Sequence, residues 1–293
     1  MVHDKTWASR LFDTGNLLLL TIVAVITFLP LMHVLMGSFT TAEELVRKPF
    51  ILIPSQFSLN AYQYILSTDA LFSALGVSIG VTVVGTAISM FLTCLMAYGL
   101  TRRDLDGRKL INFLVVFTML FQGGLIPTFL IVKAMGLIDS YFSLILPTAI
   151  NAFNLIIMRS FFQNLPDGLE ESAKIDGCND IGILFKIVIP LSMPAIATIS
   201  LFYAVNYWNT YFNAVMYLND ASKWPIQILL RQIVILASGF NADTSVFNEG
   251  YVRPPEQSVK MAVIVVSTLP ILIVYPFLQK HFAKGALVGS VKG

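Results

Sequence analysis

Six stretches of this 293-residue chain are apolar almost without interruption, and the polar residues between them fall in bunches rather than at a helical or alternating spacing. The stretches run at about 17–36, 71–100, 110–132, 141–158, 187–218 and 259–278. A helix rises 1.5 Å per residue, so about 20 such residues are needed to cross the hydrocarbon of a bilayer. In a solvent without water each segment must close its own backbone hydrogen bonds, which helices do; barrel strands would be about half as long and would alternate. The expected fold is all-α and integral to a membrane, with an amino-terminal segment at 1–16, a six-helix membrane domain at 17–280 and a carboxy-terminal tail at 281–293. Lys5 and Arg10 precede the first stretch as they would in a signal peptide. Its apolar core is longer than a signal core, and Met36-Gly37-Ser38 lacks a small-residue cleavage pattern, so it is expected to remain uncleaved.

Composition agrees: 56% hydrophobic and 12% charged side chains, with a mean hydropathy of +0.75, lie outside the range of soluble chains. The net charge of +2 is too balanced for nucleic-acid binding, so the placement of charge carries the information. With the amino terminus inside, the cytoplasmic segments hold 12 of the 19 Lys and Arg, four of them (Arg102, Arg103, Arg108 and Lys109) in one tight turn. The opposite side receives Arg47, Lys48, Lys133, Lys223, Arg231 and Arg253, with Lys260 at a boundary. The positive-inside rule then puts both termini in the cytoplasm, two long loops at about 39–70 and 219–258 outside, and a polar stretch at 159–186 inside.

Several chemistries are missing. Two cysteines, Cys94 and Cys178, and three scattered histidines make neither a disulfide framework nor a metal site. Apart from Lys260 at the start of the last, the spans carry no Asp, Glu, Lys or Arg, which argues against proton coupling. His33, near the outer end of the first span, reads as an interfacial packing residue. No Gly is followed by Lys, so the chain has no phosphate-binding loop of its own. It performs no covalent chemistry and holds no cofactor, and active transport would need a partner.

The stretch at 163–190 is the informative one. Pro166 and Asp167 open a helix, Glu170 and Glu171 follow in its first turn, and Gly177 suits a left-handed stop. Asn179 and Asp180 can cap a second helix leading to Pro190. Ser172 and Ala173 offer a small-residue surface for close approach, and Glu171 and Asp176 offer acceptors to a partner's Arg or Lys.

Glu171-Ser172-Ala173, three residues, Gly177, nine residues, then Ile187-Val188-Ile189-Pro190 resembles the E-A-A-x3-G-x9-I-x-L-P loop of ABC importer permeases, with Ser172 in place of the first Ala and Ile189 in place of Leu. The resemblance implies a coupling helix seated in a cleft of an ATP-hydrolysing subunit, with Glu171 paired to a basic residue there and Gly177 as the hinge. Through Ile175-Asp176-Gly177, Trp208-Asn209 and the closing residues 285–293 the chain is similar to the maltose-type carbohydrate permeases, specifically the MalG-like subunit, whose tail reaches the ATPase dimer. Residues 120–127, 223–225 and 275–280 look most like the branch that imports acidic polysaccharide fragments, such as the smaller permease of an alginate-oligosaccharide importer.

What the resemblance implies about partners is a second permease, two ATP-binding subunits that supply the ATP and Mg chemistry, an extracytoplasmic solute-binding protein and an oligosaccharide cargo. At 100° per residue Asn206, Asn209 and Asn213 share a face of the fifth span, and their amides suit hydroxyl-rich ligands as well as helix-to-helix bonding. Tyr203, Tyr207 and Tyr211 form a neighbouring stripe, and Gln122 beside Gly123, Gly124 and Pro127 marks an interruptible place in the third span. In the outer loop Trp224, Arg231 and Arg253 are candidates for meeting the binding protein, and the arginines for meeting cargo carboxylates. Two rival readings remain: an ion-coupled secondary carrier, and a membrane scaffold that docks an ATPase without moving solute.

Overall fold

The computed structural model describes residues 6–236 and 256–290, and among them the only extended pairing is an isolated bridge between Thr40 and Phe57. Fifteen α-helical segments follow in order: α1 (Trp7–Gly37), α2 (Ala42–Arg47), α3 (Asn60–Leu66), α4 (Asp69–Thr101), α5 (Arg108–Leu120), α6 (Leu125–Ala134), α7 (Phe142–Ile145), α8 (Ala152–Gln163), α9 (Asp167–Ile175), α10 (Asp180–Ile183), α11 (Ile189–Leu191), α12 (Met193–Trp208), α13 (Phe212–Tyr217), α14 (Ile226–Leu236) and α15 (Glu256–Ser290). Among the described residues three helices are long and apolar enough to cross a bilayer alone: α1, α4 and residues 257–274 of α15. Three more crossings arise if each of the bent pairs α5–α6, α7–α8 and α10–α12 is one span, with bends of 117°, 55° and 87°. Counted that way the described residues offer up to six crossings, three of them bent.

The chain divides into two compact units. The first holds α1–α3 and the neighbouring parts of α14 and α15. The loop between α2 and α3 is tied by Glu44, whose carboxylate accepts the backbone N–H of Ser55 (2.9 and 2.8 Å) and Gln56 (3.1 Å) and pairs with Lys48 at 2.9 Å. His33 stacks on Phe50 at 4.6 Å and accepts the Ile51 N–H at 3.1 Å through Nδ1, the packing role expected of it.

The core of the second unit lies where α4 meets α7, α8 and α12. Ser89 and Thr93 of α4 pair with the hydroxyls of Tyr207 (2.7 Å) and Tyr203 (2.8 Å) of α12. The Tyr203 hydroxyl also accepts the Asn151 N–H at 3.0 Å, and the Tyr207 hydroxyl donates to the Ile145 carbonyl at 3.3 Å. Gly85 lets the Tyr207 ring lie against α4: a Cβ there would sit 2.9 Å from the ring.

Two expectations require correction. The third span is not a continuous helix over 110–132, because α5 ends at Leu120 and the chain turns through residues 121–124, with Gly124 at a φ of +84°. The fifth is not continuous over 187–218: it bends at Ser192, between Pro190 and Pro194, and α12 stops at Trp208. There the Asn209 amide donates to the Val205 carbonyl at 2.9 Å, alongside the backbone N–H of Asn209 itself. A side chain that bonds locally to the backbone in this way favours ending a helix over extending it.

Candidate functional site

The polar segment between the fourth and fifth spans folds as a short, two-faced helix. α9 begins after Pro166 and ends in a left-handed stop: Gly177, at a φ of +81°, donates to Lys174 O (3.0 Å), and Cys178 donates to Ala173 O (2.9 Å). These paired bonds satisfy the last carbonyls of the helix, which is what glycine at that position makes possible. Asn179 caps α10 by accepting the Gly182 N–H at 2.7 Å. A wide helical turn over Leu184–Val188 then leads to α11.

The helical period divides α9 cleanly. Gly168, Glu171, Ser172 and Ile175 are all exposed along one stripe. Ala173, only 7% exposed, faces the protein, so it is not part of the outward small-residue surface expected of it. Ser172 is outward but its hydroxyl bonds back to Gly168 O at 2.8 Å. Asp176 and Gly177 are exposed at the helix end. Sequence reasoning missed Ile175, which is 86% exposed in a polar segment. The available signal was its place seven residues after Gly168 on the stripe of Glu171 and Ser172.

Glu170 points the other way. It and Asp180 both pair with the guanidinium of Arg102, which also donates to the Tyr98 hydroxyl. Behind this cluster Arg108 caps the end of α4 through the Leu100 carbonyl at 3.0 Å. Arg159 donates to Asn112 at 2.6 Å, and Gln163, with its amide oxygen turned toward them, accepts from Arg108 (2.9 Å) and Arg159 (3.1 Å). A cavity of about 430 Å³ opens between α9 and the turn after α4, with Arg102, Arg103, Arg108, Glu170, Glu171 and Lys174 in its lining.

The proposed pathway residues are not one constellation. Asn206 is exposed on α12, Asn209 is the residue that stops that helix, and Asn213 lies on α13, so the break removes their common face. Tyr203 and Tyr207 are buried clamps rather than exposed stacking surfaces. Tyr211 is half-buried against the core at the start of α13. Gln122 is exposed in the break between α5 and α6, the interruption its glycines suggested.

Asp139 holds the start of the segment that follows α13. Its carboxylate accepts the N–H of Asn219 and of Asp220, both at 3.1 Å, and pairs with Lys223 at 2.6 Å. These bonds, with the Lys223 ammonium foremost, hold the Asp139 carboxyl below its usual range. Trp224 turns its indole N–H inward to the Leu218 carbonyl at 3.3 Å. Arg231 is exposed on α14, a helix within what the sequence presents as loop, and Arg253 lies outside the described residues.

Comparison with known proteins gives a consistent picture. Residues 90–288 match the family model described as binding-protein-dependent transport system inner membrane component. The polygalacturonan/rhamnogalacturonan transport system permease protein YtcP of Bacillus subtilis (strain 168) is 67% identical over 97% of this chain and 99% of its own length. Protein LplC of the same organism is 55% identical over 99% of this chain and 97% of its own. Among solved structures, a chain of a bacterial ABC transporter involved in the import of the acidic polysaccharide alginate superposes with a TM-score of 0.88 at 32% identity, covering 95% of this chain and 99% of that one.

Proposed function

The chain belongs to the binding-protein-dependent transport system inner membrane components, and from that premise we propose that it forms half of a membrane path for acidic oligosaccharides, driven through α9 by ATP-hydrolysing partners. It is a permease subunit of an ABC carbohydrate importer. The observation that carries the drive mechanism is the two-faced α9: Glu171, Ser172 and Ile175 face outward while Glu170 and Ala173 bind the helix to its own chain. A bare isoleucine beside a carboxylate in a polar segment suits a partner that contributes an apolar pocket and a basic side chain. ATP and Mg belong to those partners; a second permease completes the path, and a binding protein delivers the cargo outside.

The basic turn at 102–109 supports an orientation with α9 and both termini in the cytoplasm. The backbone of α15 continues as helix to Ser290, so the part of the tail at 281–290 would extend from the last span toward the ATPase dimer as helix. Exposed Gln122, Asn206 and Asn209 are the side chains proposed to meet sugar hydroxyls, with Asn213 and Tyr211 beyond the break. Trp224, Arg231 and Arg253 are proposed to face the binding protein. The cargo class rests on the relatives: polygalacturonan and alginate are both chains of uronic acids, and the high identity to YtcP favours a galacturonan-type oligomer.

The test is the reconstituted complex with its binding protein. ATP hydrolysis and uptake are expected to rise with oligogalacturonate and to ignore neutral oligosaccharides of equal length. Glu171→Lys is expected to leave the chain inserted yet abolish uptake. Full uptake by that variant would refute the coupling role, and transport in vesicles without any ATPase would replace this reading with a secondary carrier.

A further inference from the structure

We infer that Arg102 is a positioning residue that carries displacement of α9 directly into α4, a route separate from the covalent one through Gly177. This rests on the reading of α9 as the docking helix. Arg102 stands one residue past the end of α4, its N–H bonded to the Gly99 carbonyl, so its backbone belongs to the last turn of that span. One planar guanidinium there engages three separate pieces of the chain: Glu170 of α9, Asp180 at the start of α10, and the Tyr98 hydroxyl one turn back on α4. It also lies over the Tyr98 ring, 4.6 Å from the centroid.

The arrangement is stiff for chemical reasons. A guanidinium offers donors in a fixed fork and stacks on an aromatic face, whereas a lysine ammonium is a point charge on a flexible stem. The charges also balance: Lys174 lies 3.5 Å from Asp180, so two cations face two carboxylates. The Arg102 and Glu170 side chains are 18% and 29% exposed, so salt screens that pair less than an open surface pair, whereas Asp180 at 60% stands in solvent. Glu170 and Glu171 thus divide the work of adjacent positions, one gripping α4 and the other facing outward. A push on α9 meets α4 through Arg102, and α4 is joined to α12 by its two hydroxyl pairs with Tyr203 and Tyr207. Without this strut α9 can still dock, but its movement is absorbed in the turns at 164–166 and 176–179.

The test uses the full complex in vesicles, with Arg102→Lys, Glu170→Gln, and the exchange Arg102→Glu with Glu170→Arg, which keeps a guanidinium between two carboxylates. Each single variant is expected to retain crosslinking between position 175 and the ATPase, and ATP hydrolysis near the unsubstituted rate, while sugar delivered per ATP falls about tenfold, as loss of a coupling interaction predicts. The exchange is expected to recover most of that ratio. Unchanged delivery per ATP in the single variants, or an assembled exchange variant that recovers nothing, overturns the inference. Should the variants fail to assemble, spin labels at Leu105→Cys and Ile181→Cys, with Cys94 and Cys178 replaced, read the same mechanics with the strut intact. Their separation is expected to hold between nucleotide-free and vanadate-trapped states, and a change beyond about 2 Å, the scale of helix shifts in switching proteins, overturns the strut. Absence of the crosslink from a reactive residue placed at 175, in the complex that keeps Arg102 and Glu170, would instead refute docking by α9.

Discussion

Ile175→Ala isolates what α9 contributes to docking. The substitution puts a better helix former on the face opposite the helix's own contacts, so the fold should not suffer from it. An Ile-to-Ala change removes three carbon groups worth about 0.8 kcal/mol each when they leave water. With 86% of this residue exposed in the free chain, nearly all of that gain is open to a partner. About 2 kcal/mol of association energy should be lost, or about 30-fold in dissociation constant. The assay is ATPase-subunit titration onto the permease pair in nanodiscs, read by native mass spectrometry or by recovery of hydrolysis. Gly168→Ala, which adds a methyl on the same stripe with no chain atom within 4 Å, probes the closeness of the fit: a tight cleft predicts weaker docking there too. A dissociation constant within twofold of the unsubstituted complex for Ile175→Ala would refute the claim that this face is buried in the assembly.

Gly85→Ala should destabilise, since its methyl would meet a buried tyrosine ring at 2.9 Å; an overpacking cost of about 1–3 kcal/mol outweighs the roughly 1 kcal/mol that alanine gains in a helix. Gly99→Ala on the same helix, with open space around it, should be neutral or stabilising in denaturant unfolding, and equal effects at the two sites would contradict the packing described. The Glu44 carboxyl is held at about 2, against an ordinary value of 4.5, first by Lys48 and then by the Ser55 N–H. A depressed carboxyl contributes its stability above the unfolded value and loses it as pH falls through the folded one. Amide exchange at Ser55 and Gln56, corrected for its intrinsic pH dependence, should therefore stay protected from neutrality down through pH 4 and open as pH nears 2. Glu44→Gln should show the open behaviour throughout, and protection unchanged by that substitution would disprove the tether.

The fold was legible because hydrophobic run length is a strong signal, and the helical segment after Pro166 because capping residues and glycine have fixed conformational meanings. The bends were only half legible. Gln122-Gly123-Gly124 and the prolines around Ser192 announce interruptions, yet nothing in a hydropathy run distinguishes a straight crossing from one turned through 117°. The break after Trp208 has neither Gly nor Pro; it rests on a side-chain-to-carbonyl bond at Asn209, and missing it aligned three amides that the chain separates. The two faces of α9 follow from period, but which face is inward depended on Arg102, a partner 68 residues away from Glu170.

The two Tyr–hydroxyl pairs between α4 and α12 sit one helical turn apart on both elements, running in opposite directions. Such spacing acts as a vernier: a slip of about 1.5 Å, the rise of one residue, spoils both matches at once, and no nearby setting restores either. These two rods are therefore keyed to each other, and sliding of one along the other is the motion the pairs resist.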